Sequence, residues 1–260
     1  MTIPYARKSI YDLSPNEVER LRNAFRSLYE EPIAPNQQLV SKSANRYQEL
    51  ANILITQGHY QRNDLLFLPW ARAYFYEFEQ ALRSIDAKVS LPYWDYTSAQ
   101  AITDGIPSIL ADETYSVNGQ SLANPLFKAR YKFPLQTFRD VSDSTKPLLA
   151  AVPVREEAMT RDNFVDFSLS IYPVDIISHV YIGGSSKDTN TAAYDPIFWF
   201  THCQLDHMWY QWQQGNTNQQ VPNSVLSASL KPFVQQVGDQ MSFLTGADVM
   251  DTESLGYVYE

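Results

Sequence analysis

Few side chains in this sequence could carry out chemistry. The histidines number four, namely His59, His179, His202 and His207. Asp175 and His179 lie four residues apart, so they share one face if the segment is helical. A carboxylate and an imidazole on one face can ligate a metal ion or transfer a proton. Cys203 is the only cysteine, which rules out an internal disulfide and an all-cysteine metal site.

The segments that must position these residues are predicted to be mainly helical. Ser14, Pro15 and Glu17 form a capping box with proline at the first helical position, which predicts a helix to about residue 29. Apolar residues at helical spacing predict a helix over residues 68–85. Further helices are expected over residues 44–56, 172–182 and 196–214, so Asp175 and His179 share one helix and His202 lies on the next.

Residues 98–165 have a different character, with prolines, serines and glycines among short apolar pieces. They predict a long irregular excursion with one or two short helices. Excursions of this length often form lids or pocket walls. The tail carries short apolar pieces that are suited to packing. No internal repeat or low-complexity linker is visible, so we expect a single domain over residues 1–260.

Composition and charge exclude several functions. Hydrophobic residues make up 44 % of the chain, enough for a sizeable core, and the net charge is −9. Nucleic acids and anionic membrane surfaces need a basic footprint, so neither is an expected partner. No apolar run approaches the roughly 18 residues of a membrane-spanning helix. The first residues lack the apolar core of a secretory signal, so we expect a cytoplasmic protein.

Two stretches resemble the tyrosinase/hemocyanin family of type 3 copper proteins. Residues 67–79 (FLPWARAYFYEFE), followed by LPYWD at 91–95, resemble the first copper-binding helix, and residues 195–209 (DPIFWFTHCQLDHMW) resemble the second. Arg7 and the Tyr257-x-Tyr259 pair match the ends of the family's core domain. The resemblance spans nearly the whole chain. It implies a mainly α fold, a four-helix bundle core with long irregular loops, and a metal site between facing helices.

The first copper site of that family is missing from this chain. The family holds two coppers with three histidines each, and four histidines cannot supply six ligands. The family motif Pro-Trp-His-Arg has Ala71 in place of its histidine, the preceding ligand falls on Arg62, and the earliest lies near Leu54. Neither alanine nor a guanidinium binds copper. His59 lies nearby but matches no ligand position.

The second copper site is altered but retains three donor residues. The family pattern is His-x-x-x-His before a Gly-Gly turn, with a third histidine in the Asp-Pro-x-Phe helix. The resemblance places Asp175 at the first position and keeps His179 and His202 at the others, while Thr201 replaces a neighbouring histidine. Two imidazoles and one carboxylate suit catalytic zinc and also non-haem iron(II). We expect one Zn²⁺ per chain, with Fe²⁺, copper or no metal as alternatives.

Other polar residues near these positions have two interpretations each. His59 could be a general acid or base beside the lost site, or a surface histidine. Arg62 could bind an anionic group of a substrate, or be solvated. His207 replaces an arginine common in the family and is more typical of a structural contact. Cys203 is more typical of a small buried residue than of a ligand. Core packing is expected of Trp70, Trp94, Trp199 and Trp209.

The lost copper pair implies chemistry other than oxidation. The chain is similar in kind to the fungal cyclopenases of quinolone alkaloid biosynthesis, which use zinc. This similarity implies a zinc-dependent lyase of secondary metabolism that removes methyl isocyanate from a cyclopenin-type epoxide to give a viridicatin-type quinolone. The candidate catalytic residues are Asp175 and His59, with a hydroxide on the metal as the alternative base. The expected partner is a small aromatic natural product.

Three other functions remain open at this stage. The chain could be a zinc-dependent lyase or hydrolase that acts on a different natural product. It could be a binding protein that kept the fold and lost catalysis, or an atypical copper-dependent phenol oxidase. A binding protein should tolerate loss of Asp175 or His179, whereas an oxidase requires oxygen uptake that depends on a phenol.

Overall fold

The structure is a computed structural model that describes residues 4–33, 43–58, 64–132 and 134–260. His59 and Arg62 lie outside these residues. The described helices are α1 (Pro15–Glu30), α2 (Arg46–Gln57), α3 (Phe67–Ile85), α4 (Ala99–Asp104), α5 (Ser108–Ala111), α6 (Lys146–Met159), α7 (Phe164–Ile182), α8 (Ile197–Gly215) and α9 (Asn223–Leu226). The predicted mainly α fold is therefore confirmed.

The strands are short and pair two by two. They are β1 (Tyr5–Arg7), β2 (Thr114–Val117), β3 (Gln120–Ala123), β4 (Arg130–Lys132), β5 (Leu135–Gln136), β6 (Ser229–Val237), β7 (Gln240–Thr245) and β8 (Tyr257–Tyr259). β2 with β3, β4 with β5, and β6 with β7 form antiparallel hairpins, whereas β1 pairs in parallel with β8.

The helix starts follow from capping side chains that the sequence shows. The Ser14 hydroxyl accepts a hydrogen bond from the Glu17 amide at 3.3 Å, and the Glu17 carboxylate accepts one from the Ser14 amide at 2.8 Å. This reciprocal pair satisfies two amides that the first turn leaves free. Asn45 caps α2 in a similar way, since its side chain accepts from the Gln48 amide at 2.9 Å. The predicted helices over residues 15–29, 44–56 and 68–85 are confirmed.

The prediction for α7 was wrong at its start. The helix begins at Phe164 rather than near residue 172, because the Asn163 side chain caps it by accepting from the Asp166 amide at 3.0 Å. Pro173 lies inside the helix, where it removes one backbone donor. Packing of α7 against α6 and α8 holds the helix continuous through this position.

The segment 98–165 is more ordered than predicted. It contains the 14-residue helix α6, which packs along α7, in addition to α4, α5 and the two hairpins β2–β3 and β4–β5. The expectation of one or two short helices underestimated this segment, because α6 carries Pro147 and Pro153 and shows weak amphipathic spacing. Pro147 lies in the first turn, where the missing amide costs little.

The core holds the helices together through aromatic packing. α3 packs against α1 and α8, and α8 packs against α7. The Phe78 and Trp199 rings stack with centroids 3.6 Å apart. The four tryptophans predicted to be core are all at most 1 % exposed. None of the helices among the described residues combines the length and apolar character needed to cross a lipid bilayer.

A buried polar cluster ties the two ends of the described chain to this core. The Arg7 guanidinium donates hydrogen bonds to the carboxylates of Glu79 on α3 and Asp206 on α8, at 2.6 and 3.1 Å. The hydroxyls of Tyr257 and Tyr259 donate to Asp206 at 2.7 and 2.6 Å. The expectation that the tail packs on the domain is confirmed.

Candidate metal centre

Two candidate ligands come from one face of α7. Asp175 and His179 are one helical turn apart, and the distance between Asp175 Oδ2 and His179 Nε2 is 3.8 Å. Asp175 is 4 % exposed and His179 is partly buried. The predicted sharing of a helix face is therefore observed.

The third candidate ligand comes from α8. His202 Nε2 lies 3.3 Å from Asp175 Oδ1, and the rings of His179 and His202 have centroids 5.1 Å apart. One donor atom from each of Asp175, His179 and His202 lies within 4.8 Å of the other two. Two neutral imidazoles and a carboxylate at such separations can surround one metal ion.

The other nitrogen of each imidazole is held by the backbone. His179 Nδ1 donates to the Ser186 carbonyl at 2.7 Å and lies 2.9 Å from the Ser186 hydroxyl. His202 Nδ1 donates to the Phe198 carbonyl at 2.8 Å. With the ring proton on Nδ1, the lone pair on Nε2 faces Asp175 in both residues. Metal-binding histidines in proteins are typically oriented in this way.

Burial sets the protonation of this group. It lowers the pKa of His202 to about 4, because desolvation disfavours the imidazolium more strongly than the charge of Asp175 favours it. His202 is therefore neutral at pH 7. Asp175 Oδ1 is buried, and no described residue hydrogen bonds to it. A buried carboxylate oxygen without a partner is costly, and a metal ion would satisfy it. The three residues thus fit a single metal ion.

The same pocket contains the positions of the lost first site. Leu54 and Ala71 line it together with Phe75, and none of these three side chains offers a donor atom to a metal. We call Leu54, Ala71 and Phe75 the apolar half, and Asp175, His179 and His202 the ligand half. The described residues of the first copper site do not fit a metal ion. Arg62 and His59 lie outside the described residues, so their predicted roles stay predictions.

The pocket between the two halves has a volume of about 190 Å³. Among its described lining residues, none belongs to the segment 98–165, so the expected lid function of that segment has no support. The aromatic rings that line it are Phe67, Trp70, Tyr74, Phe75, Tyr172 and Phe198. Apolar walls around a few convergent polar groups are typical of sites for small ligands.

Two residues weighed from the sequence lie away from this pocket. His207 is 8 % exposed and packs between Tyr93 and Tyr259, whose ring centroids lie 4.1 and 4.6 Å from its own. Burial lowers the pKa of His207 to about 4. Cys203 is fully buried, and burial raises the pKa of its thiol to about 12. Neither residue lines the pocket.

Sequence reasoning missed Ser186, which orients His179. Gly183 and Gly184 adopt φ values of 67° and 53°, and a Cβ on Gly183 would lie 2.0 Å from the Asp140 carbonyl oxygen. This turn brings Ser186 back beside His179. The glycine pair directly after a helix was the signal in the sequence, but it does not show which residue reaches the imidazole.

Comparison with known proteins gives consistent matches. The family model described as the common central domain of tyrosinase matches residues 44–169 and 156–215. The tyrosinase of Streptomyces glaucescens is 27 % identical over 211 residues, which cover 71 % of this chain and 75 % of that protein. Hemocyanin 1 of Megathura crenulata is 28 % identical over 217 residues, which cover 75 % of this chain and 6 % of that much longer protein.

Solved structures share the fold. The tyrosinase of Burkholderia thailandensis superposes with a TM-score of 0.79 at 21 % identity, covering 99 % of this chain and 74 % of that one. A functional unit of octopus hemocyanin superposes with a TM-score of 0.76 at 22 % identity, covering 98 % of this chain and 68 % of that one. The predicted tyrosinase/hemocyanin fold is confirmed.

Proposed function

This chain belongs to the tyrosinase family, and from that premise we propose that it is a non-oxidative enzyme with one zinc ion held by Asp175, His179 and His202. The observation that carries this proposal is the asymmetry of the pocket. The ligand half places three donor atoms within 4.8 Å of one another, whereas the apolar half has Ala71 at a position, and Leu54 near a position, for which the family resemblance implies a histidine. Within the part of the chain that the structure describes, these positions offer no donor atom for a second metal ion, which argues against a copper pair.

The donor set favours zinc over copper. Copper(I) prefers softer ligands than a carboxylate, whereas two imidazoles and a carboxylate occur in catalytic zinc sites. Iron(II) uses a similar donor set and is the main alternative. When bound in such a site, zinc supplies Lewis-acid chemistry, which polarises a substrate oxygen and stabilises developing negative charge.

The residues of the chain orient the candidate ligands and give the pocket its apolar walls. Hydrogen bonds from Nδ1 hold the two imidazoles of the ligand half in a fixed orientation. The aromatic walls present flat apolar surfaces, so they favour a rigid aromatic substrate over a sugar or a peptide. Ala71 leaves open the space into which a substrate ring can extend.

The reaction that we propose is of the cyclopenase type. A cyclopenin-type epoxide, a benzodiazepinedione, loses methyl isocyanate and gives a viridicatin-type quinolone by ring contraction. The overall reaction needs no oxidant, because the quinolone and methyl isocyanate together contain all the atoms of the epoxide. His59 is proposed as the base that removes the substrate proton whose loss starts the elimination. The analogy with cyclopenases supports this substrate, and a different aromatic natural product is the alternative.

Turnover with and without metal tests this function. Purified protein is stripped with a chelator, one portion is reloaded with zinc, and both receive a cyclopenin-type epoxide. We expect the reloaded protein to release quinolone and trapped methyl isocyanate in equal amounts, and the stripped protein to be slower by at least about 100-fold, a loss of roughly 3 kcal/mol of transition-state stabilisation. An Asp175→Asn variant should resemble the stripped protein, and His207→Gln should resemble the wild type.

Three other outcomes would overturn the proposal. Full conversion by the stripped protein would remove the metal from the mechanism. Oxygen uptake that depends on an added phenol would make the protein an oxidase. Tight binding of the epoxide without any conversion would indicate a binding protein.

A further inference from the structure

We infer that Lys187 binds an oxygen atom of the substrate at the solvent-exposed rim of the pocket, outside the buried ligand pair Asp175 and His202. This inference rests on the proposed function and narrows its substrate class. The substrates would be flat aromatic compounds with two separated oxygen acceptors, one directed at the ligand half and one, a carbonyl or carboxylate, at Lys187. No feature of the amino-acid sequence alone had suggested a role for this residue.

Lys187 belongs to the pocket that contains the candidate ligands. It is the last residue of a short 3-10 turn, Gly184–Lys187, and it lines the pocket together with Asp175, His179 and His202. Among the described residues of that lining it is the only lysine or arginine. Lys187 is solvent-exposed, whereas the ligands Asp175 and His202 are buried, so Lys187 lies nearer to the solvent side of the pocket than these ligands do.

No described side chain interacts with the amino group of Lys187. Within the described ranges of the chain, neither an ion pair nor a hydrogen bond engages it. The adjacent carboxylate is directed elsewhere, because Asp188 Oδ1 accepts from the backbone and side-chain amides of Asn190, both at 2.9 Å. Among the residues described, Lys187 thus has no anionic partner, and it lines an apolar pocket in a protein with a net charge of −9.

The backbone that carries Lys187 is fixed relative to the ligand half. The Ser186 carbonyl, directly before Lys187, accepts the hydrogen bond from His179 Nδ1 at 2.7 Å. The start of the turn is held where a Cβ on Gly184 would lie 2.3 Å from the Phe138 carbonyl oxygen. The backbone at Lys187 is therefore held in place, and the position of the amino group varies only through the flexible lysine side chain.

The charges and walls of the pocket together define the ligand. A divalent ion with one carboxylate and two neutral imidazoles leaves net positive charge at the ligand half, and Lys187 adds a second positive charge nearer to the solvent. Phe67 and Tyr172, which meet edge to face with centroids 5.4 Å apart, line the same pocket. An aromatic ring with an electron-rich oxygen at each end would match a pocket that combines these aromatic walls with two positive charges.

Two probe molecules test the role of Lys187. Both 4-carboxybenzohydroxamate and 4-methylbenzohydroxamate carry a metal-binding hydroxamate, but only the first carries an oxygen acceptor at the far end of the ring. Calorimetric titration of the zinc-loaded protein should show the carboxy probe binding about tenfold more tightly, the effect of one hydrogen bond between charged groups. In Lys187→Met this preference should fall to within about twofold, while Lys187→Arg should keep it.

The controls separate this inference from the proposed function. Lys146→Met removes an exposed lysine on α6 that does not line the pocket, and it should keep the full preference. An equal affinity of wild type for both probes, or an unchanged preference in Lys187→Met, would overturn the role of Lys187. If removal of zinc leaves the affinity of both probes unchanged, the metal proposal fails, while the ratio of the two affinities still decides the role of Lys187.

Discussion

The two halves of the pocket lie on similarly buried helices but differ in chemistry. The apolar half lies on α2 and α3, where Leu54 and Ala71 are at most 7 % exposed. The ligand half lies on α7 and α8, where Asp175 and His202 are buried to a similar degree. Both halves face the same space, but only the second presents atoms that a metal can bind.

The difference shows that the scaffold does not depend on a metal in the apolar half. α3 is held by the Phe78–Trp199 stack and by the ion pair of Arg72 with Asp206, whose closest atoms are 2.5 Å apart. These contacts involve no residue of either half. Loss of the first-site ligands therefore leaves the helices in place, and the vacated positions become a wall against which a substrate can pack.

Removal of one ligand from the ligand half should have the largest effect. His202→Ala leaves two of the three candidate ligands, Asp175 and His179, so we expect zinc affinity to fall by more than about 100-fold, beyond the loss typical of a supporting partner. Competition for zinc with a chromophoric chelator measures this affinity. His207→Ala removes a buried histidine of the same helix that does not line the pocket, and it should keep the wild-type affinity. Equal losses in the two variants would mean that unfolding, and not ligation, explains the result.

Acid should destabilise the fold through His207, a buried histidine of α8. The pKa of His207 is lowered from 6.5 to about 4 by burial, so the unfolded chain binds more protons than the folded chain between these values. Stability is therefore lost as pH falls below 6.5. Urea unfolding of metal-free protein at pH 7 and pH 4.5 should show a decrease that is smaller by about 2 kcal/mol in His207→Gln than in wild type. Identical decreases would contradict the buried neutral state of His207.

Added volume in the apolar half should affect the substrate and not the metal. Ala71→Leu fills space that the proposed substrate ring uses, so we expect KM for the epoxide to rise about tenfold, corresponding to roughly 1.4 kcal/mol of lost binding. Zinc content should stay unchanged. Ala71→Ser, which adds little volume, should keep KM within about twofold. A loss of zinc in Ala71→Leu would show that the two halves are not independent.

The smallest effect is expected from Ser186→Ala. The hydroxyl lies 2.9 Å from His179 Nδ1, but the Ser186 carbonyl at 2.7 Å remains in the variant. Zinc affinity should fall by only about threefold, below the range for loss of a whole supporting partner. Thr189→Ala, at the mouth of the same pocket, serves as the control and should leave zinc affinity unaltered. A loss above about 100-fold in Ser186→Ala would show that the hydroxyl, and not the carbonyl, orients His179.

Local signals in the sequence predicted much of the helical scaffold. The capping box at Ser14 and the apolar spacing of residues 68–85 specify their helices without tertiary contacts. The start of α7 could not be predicted in this way, because Pro173 obscured a helix that packing against α6 and α8 keeps continuous. The β2–β3 hairpin, in contrast, has a local signal that the prediction missed, because Asn118 and Gly119 form a two-residue turn with positive φ at both positions.

The candidate ligands were predictable, but their surroundings were not. The spacing of Asp175 and His179, together with the family resemblance, identified residues that the structure brings within 4.8 Å of His202. Ser186 and Lys187 reach the pocket through a turn with positive φ at Gly183 and Gly184, and no periodicity in the sequence encodes that path. The single-domain prediction and the base role of His59 stay predictions.

The metal content of the purified protein tests the central claim most directly. Inductively coupled plasma mass spectrometry is applied to wild type and Asp175→Ala, prepared in parallel and supplied with zinc and copper at equal concentrations. The asymmetry of the pocket predicts one zinc per wild-type chain and a loss of that zinc in Asp175→Ala. Two coppers per wild-type chain, or no metal in either protein, would contradict the account.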